Sequence, residues 1–207
     1  MRRPLTRHAA FIHAFLNHLE ARGFDGAPRF MGINDAGRET LSFISGSVPP
    51  ELGAFSDSQL AAGARLLRQL HDATLDSPLR DGHEVVCHGD ASPCNCVFVD
   101  GTPAAFIDFD AAHPGTRLED LGYASWLWID LGNDDVSADL QGSRIADFFR
   151  SYGLDGGLAI DSIVASQVAL SARTDSPGVR EWAMNCRAWV EQHREALTAA
   201  IAVRART

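Results

Sequence analysis

Residues 86–110, VCHGDASPCNCVFVDGTPAAFIDFD, constrain this chain more than any other stretch. Two short apolar runs, Cys96-Val97-Phe98-Val99 and Ala104-Ala105-Phe106-Ile107, flank Asp100-Gly101-Thr102-Pro103. Apolar runs of this length around a turn-forming cluster predict a β-hairpin with a four-residue loop. Pairing Val99 with Ala104 then sets Asn95 opposite Asp108. An amide oxygen and a carboxylate meet at the open end of such a hairpin, and Asp90 arrives there on the loop five residues before Asn95. Oxygen donors of this kind suit magnesium, which keeps several waters and takes one or two carboxylates together with substrate phosphates. Singly, an Asp or Asn in a loop is usually turn chemistry. Here His88, Gly89, Asp90, Asn95, Asp108 and Phe109 stand at fixed offsets around a hairpin of suitable length.

With 207 residues, the chain can bury a substantial core, as one domain or as a domain plus a small lobe. A net charge of −9 argues against a general nucleic-acid binder, which needs basic patches to neutralise phosphates. An acidic surface suits neutral or cationic small molecules, and equally suits plain solubility. All 18 basic residues are Arg, which excludes lysine Schiff-base chemistry and any lysine contact to a nucleotide. No apolar run is long enough to span a membrane. The Arg-rich start leads into an amphipathic stretch rather than a signal-peptide core. A cytoplasmic protein with four reduced cysteines is expected.

Residues 1–7 are basic and proline-broken. The spacing of Phe11, Ile12, Phe15, Leu16 and Leu19 predicts a helix over 8–22, stopped at Gly23. Residues 28–45 read as strand, turn and strand. The stretch 46–53, with Pro49-Pro50, is a connector on which a small lobe hinges. Ser56-x-x-Gln59 is a capping box opening a helix to about Ala73. Helical patterns follow over 117–131, 137–153, 157–173 and 178–204. In the last, Trp182, Cys186, Trp189, Val190, His193, Leu197 and Ile201 form a stripe expected to face the core. The fold class is α+β. Residues 1–46, a helix, a hairpin and the hinge, are expected to form a small lobe, and residues 47–207 a larger helical lobe with an embedded β-hairpin.

A zinc site is the competing reading, because Cys87, His88, Cys94 and Cys96 cluster. Zinc deaminases require H-x-E and P-C-x-x-C. The chain has His88-Gly89-Asp90 and Pro93-Cys94-Asn95-Cys96 instead, and Cys96 falls on the hairpin as a small core residue.

The HGD-x4-N loop and the following DFD are similar to the H-R-D-x-x-x-x-N and D-F-G elements of protein kinases. With the ED-x-GYA segment at 119–124, they resemble the aminoglycoside phosphotransferase and choline kinase group, which shares the protein-kinase-like fold. The resemblance implies a phosphotransferase that uses ATP or GTP with Mg2+. In it, Asp90 would orient the acceptor hydroxyl, and Asn95 and Asp108 would hold the metal against the phosphates. Ser42, Phe43 and Ile44 would form the hinge that meets the nucleotide base. His88 and Asp120 would brace the catalytic loop. The family's small lobe opens with strands, a phosphate-covering loop and a strand carrying Lys. This sequence starts near the end of that last strand, which leaves Arg3 as the phosphate contact, with His13, Asn17 or Glu20 on the helix that follows. Two expectations result: a piece of a longer enzyme, or a shortened, catalytically weak remnant serving as a binding module. The expected partner is a small-molecule hydroxyl acceptor, aminoglycoside- or choline-like and cationic. Neither nucleic acid nor a membrane is expected. Tyr123 and one of Trp126 and Trp128 are candidates for cation–π contact, although core positions fit both tryptophans better. Asp130, Asp134, Asp135 and Asp139 add negative charge nearby.

Overall fold

The computed structural model describes residues 2–206, with side chains from Pro4 onward. The fold is α+β, as the sequence predicts. The chain divides into two compact units, residues 1–51 with 66–117 and residues 52–65 with 118–207. In this division the HGD loop and its hairpin group with the N-terminal strands rather than with the helices that follow.

In the first unit, strands β1 (Arg2–Pro4), β2 (Phe30–Ile33) and β3 (Arg38–Leu41) form an antiparallel sheet in the order β1-β3-β2. The first strand falls where the sequence reads as proline-broken. Pro4 is tolerated because it ends an edge strand, where one ladder N–H can be spared. Helix α1 (Ala9–Ala21) buries Ile12, Phe15, Leu16 and Leu19 of the stripe seen in the sequence, and leaves Phe11 partly exposed. It stops as a Schellman motif, with Gly23 N–H donating to Glu20 O and Phe24 N–H to Leu19 O, each at 2.9 Å. Gly23 supplies the left-handed φ of 72° that this motif needs.

Strand β4 (Val85–Cys87) pairs with β7 (His113–Gly115). The second of these escapes sequence reading, because His-Pro-Gly is composed of breakers. Strands β5 (Cys96–Val99) and β6 (Thr102–Phe106) make the expected hairpin, with a different register. Its loop is the two-residue turn Asp100–Gly101, with φ of 49° and 75°, rather than four residues. Two positive φ values define the primed turn whose twist matches a hairpin. Thr102 and Pro103 are therefore strand residues, and a bulge follows between Val97 and Phe98.

The second unit is helical: α3 (Arg117–Ile129), α4 (Ala138–Tyr152), α5 (Ala159–Arg173), α6 (Pro177–Gln192) and α7 (Arg194–Arg204), with α4 packed along α7 and α5 along α6. Helix α2 (Asp57–Asp72) begins in this unit and ends in the other. Its capping box is formed: Ser56 N–H donates to Gln59 Oε1 at 2.9 Å, and Gln59 N–H to Ser56 Oγ at 3.3 Å. The single helix expected over 178–204 is two, broken at His193. The His193 ring bonds Trp189 O at 2.9 Å, so its side chain competes for a helix carbonyl. Within the stripe, Val190, Leu197 and Ile201 are buried, while Trp182 is partly exposed over Trp126, ring centroids 4.6 Å apart. Trp126 and Trp128 are both core residues, the latter between Phe55 and Phe148.

Candidate active site

The loop after β4 is built around a buried imidazole. His88 Nδ1 accepts the Asp90 N–H at 3.2 Å, which fixes the tautomer so that Nε2–H donates to Ile107 O at 3.1 Å. The ring packs on Phe106 and Phe109, with centroids 5.3 and 4.5 Å away. One side chain thus joins the loop to the end of the hairpin. Gly89 has a φ of 78°, and a Cβ there would lie 2.2 Å from Ala111 O, so only glycine fits. The Asp90 carbonyl accepts Ser92 N–H at 2.8 Å and Asn95 Nδ2–H at 3.1 Å. With its nitrogen committed, the Asn95 amide keeps Oδ1 as the atom available to a ligand.

The hairpin register alters the expected pairing. Asn95 lies across from Ile107, whose N–H donates to Asn95 O at 2.8 Å, and Asp108 is one residue further on. Asp108 takes a left-handed conformation, φ 62° and ψ 66°, and opens a short 3-10 turn over Phe109–Ala111. Phe109 is buried against Phe15 of α1, edge to face at 5.7 Å. The turn brings Asp108 to the cavity that Asn95 also lines, although the two do not face each other across the ladder.

That cavity has a volume of about 330 Å³. Its walls are Ile12 and Leu16 of α1, Pro28, Leu41 with Ser42, Phe43 and Ile44, Gly46 and Val48, and the hairpin residues Val97 and Ile107 with Phe109. Asn95 and Asp108 are the polar side chains of its hairpin side. The connector is fastened to the hairpin by Ser47 N–H to Phe98 O at 2.9 Å and Phe98 N–H to Ser47 O at 2.7 Å. Gly46 makes this approach possible: its φ is 153°, and a Cβ would sit 2.5 Å from Phe98 O. Ser42 is held by Arg29, whose N–H donates to Ser42 Oγ at 2.8 Å.

Five of the sequence-derived site residues, Ser42, Phe43, Ile44, Asn95 and Asp108, therefore line one cavity. Asp90 is tied to it through Asn95 without being a lining residue. Asp120 is buried in the first turn of α3, in the second unit. The side chain of Arg3, the expected phosphate contact, lies outside the described residues. The apolar walls, notably Gly46 and Val97, were not singled out from sequence. The connector's glycine was the available signal. Oxygen donors such as Asn95 and Asp108 fit a hard cation like magnesium. Cys94 and Cys96 fit zinc poorly. Burial, with Asp90 and Glu51 nearby, pushes the Cys94 thiol up, and burial pushes Cys96 to about 12, so both resist forming the thiolate a zinc ligand must be.

The slot is thus apolar along residues 41–44 and polar at Asn95 and Asp108. The chain belongs to the APH phosphotransferase enzyme family, whose model matches residues 3–160. It is 32% identical to the trifolitoxin immunity protein of Rhizobium leguminosarum bv. trifolii, over 92% of this chain and 88% of that one. A candidate aminoglycoside phosphotransferase from Ralstonia eutropha shares the fold at a TM-score of 0.53 and 15% identity, over 91% of this chain and 83% of that one. A choline/ethanolamine kinase family protein from Mesorhizobium loti aligns at a TM-score of 0.49 and 15% identity, over 93% and 82%.

Proposed function

We propose that this protein transfers the γ-phosphate of ATP or GTP to a hydroxyl of a small molecule. The observation that carries the reading is the shared cavity, in which apolar walls and the 42–44 hinge lie with Asn95 and Asp108. A planar base fits the apolar part, and the phosphates then run toward the two oxygen donors. Asn95 and Asp108 would hold magnesium, which neutralises phosphate charge when bound. Asp90 accepts a hydrogen bond from the acceptor hydroxyl and orients it for in-line attack. His88 keeps the Asp90 backbone in place. Asp120 braces the same loop, and Arg3 contacts phosphate. In this reading, residues 1–46 serve as the small lobe and the remainder as the large one. The net charge of −9 favours a cationic acceptor, aminoglycoside- or choline-like. The relative named for immunity to a toxin supports a protective role, in which a toxic compound is the acceptor, inside the cytoplasm.

Titration calorimetry with MgATP and MgGTP tests the reading. Wild-type protein should bind at least one, and Asp108→Asn should lose the magnesium-dependent part of that binding. Transfer of labelled γ-phosphate to a panel of aminoglycosides and amino alcohols then identifies the acceptor. Absence of binding to both nucleotides at millimolar concentration would sink the reading.

A further inference from the structure

Glu39 is a carboxylate on the central strand of the sheet, and it is 1% exposed. A buried carboxylate requires a donor. His13 supplies one from α1, with Nε2 donating to Glu39 Oε2 at 2.5 Å. The His13 ring also stacks on Phe30 of β2, with centroids 3.8 Å apart and planes 15° from parallel. One side chain therefore joins three elements: α1, β2 and β3.

The same three elements carry one side of the cavity. Ile12, the residue before His13, lines it, and so does Leu16 one turn later. Pro28 lines it from the approach to β2, and Leu41 to Ile44 line it from the end of β3. The spacing between the α1 wall and the hinge wall is thus set where His13 meets Glu39 and Phe30. None of these three residues lines the cavity itself.

We infer that His13, acting through Glu39 and Phe30, is a positioning residue for the nucleotide: it sets the width of the slot that receives the base. This rests on the nucleotide reading of the cavity. It assigns to the pair a share of nucleotide affinity, and no part in the chemistry at the phosphates.

The experiment compares wild type, His13→Ala, His13→Gln, Glu39→Gln and His18→Ala. His18 is a control on the same helix: its Nε2 bonds Ala73 O at 2.9 Å, and it does not line the cavity. MgATP and MgGTP affinity is measured by calorimetry and stability by thermal melting. His13→Ala and Glu39→Gln should weaken nucleotide binding about tenfold, an effect of ~1.4 kcal/mol. His13→Gln keeps a donor and should stay within about threefold of wild type. His18→Ala should lower the melting temperature and leave affinity unchanged. With an acceptor in hand, His13→Ala should raise the nucleotide KM and spare kcat, the signature of lost uniform binding. If His13→Ala does not fold, Glu39→Gln and His13→Gln carry the comparison. Unchanged affinity in the folded pair variants, or equal weakening by His18→Ala, overturns the positioning role while the nucleotide site stands. A wild-type protein that binds neither nucleotide overturns both.

Discussion

Two loops of this molecule are built by the same device and end up doing different things. The 88–95 loop of the first unit is gripped by His88, fully buried, whose ring bonds one N–H and one carbonyl. The 130–137 loop of the second unit is gripped by Gln141, equally buried. Its Oε1 accepts Gly132 N–H at 2.9 Å, while its Nε2 donates to Asn133 O at 2.9 Å and Val136 O at 2.6 Å. They part in how their own polar side chains are used. In the second loop Asn133 Nδ2 donates to Asp130 Oδ2 at 3.0 Å, and Asp134 Oδ1 accepts the Trp189 indole N–H at 2.9 Å. Its carboxylates hold the loop together. In the first loop the Asn95 amide does both: Nδ2 donates to Asp90 O, and the side chain lines a cavity together with Asp108 of the turn after the hairpin. A run of acids in sequence is thus a poor guide to a site. What distinguishes the loops is that the first also presents a polar side chain to a cavity.

The sharpest way to break the comparison is to remove one acid from each loop. Asp90→Ala should cut phosphoryl transfer about 10³-fold, and Asp134→Ala less than tenfold, in initial rates with the acceptor found by screening. Next come the devices that hold the loops. Gly89→Ala must place a Cβ where Ala111 O stands, and should destabilise by about 3 kcal/mol in urea denaturation. Gln141→Leu leaves Gly132 N–H and two carbonyls without their partner, and should cost about 2 kcal/mol while leaving MgATP affinity intact. A loss of affinity in that variant would mean the two loops are not independent.

The smallest effect concerns acid stability. Burial acts to raise the Asp72 carboxyl, but hydrogen bonds and charge from Arg117 and Arg68 outweigh it and hold the group below its ordinary 3.8. A carboxylate depressed in the folded state contributes stability above its unfolded value, and that stability is lost as pH falls through the folded one. Asp72→Asn should therefore cost less than about 1 kcal/mol at neutral pH, because the pair is partly exposed. The gap from wild type should close below pH 3.8.

Local signals survive well from sequence to structure. The α1 stripe and the Ser56–Gln59 box each depend on neighbours within about one helical turn. What was illegible depends on partners far away. Glu39 reads as an ordinary strand residue, and the histidine that makes its burial tolerable is 26 positions earlier. Strand β7 exists because β4 pairs with it, against its own composition. The hairpin slipped in register because Pro103 resembles a turn residue, whereas the adjoining bulge lets it sit in a strand. The break at His193 was hidden because the apolar stripe runs through it unbroken.

Asp108 sits in a backbone conformation that costs a non-glycine residue about 1 kcal/mol, and glycine would relieve that cost. Mutation at this position therefore has a built-in direction. The backbone alone favours glycine there, and the interactions that Asp108 makes set the opposing term.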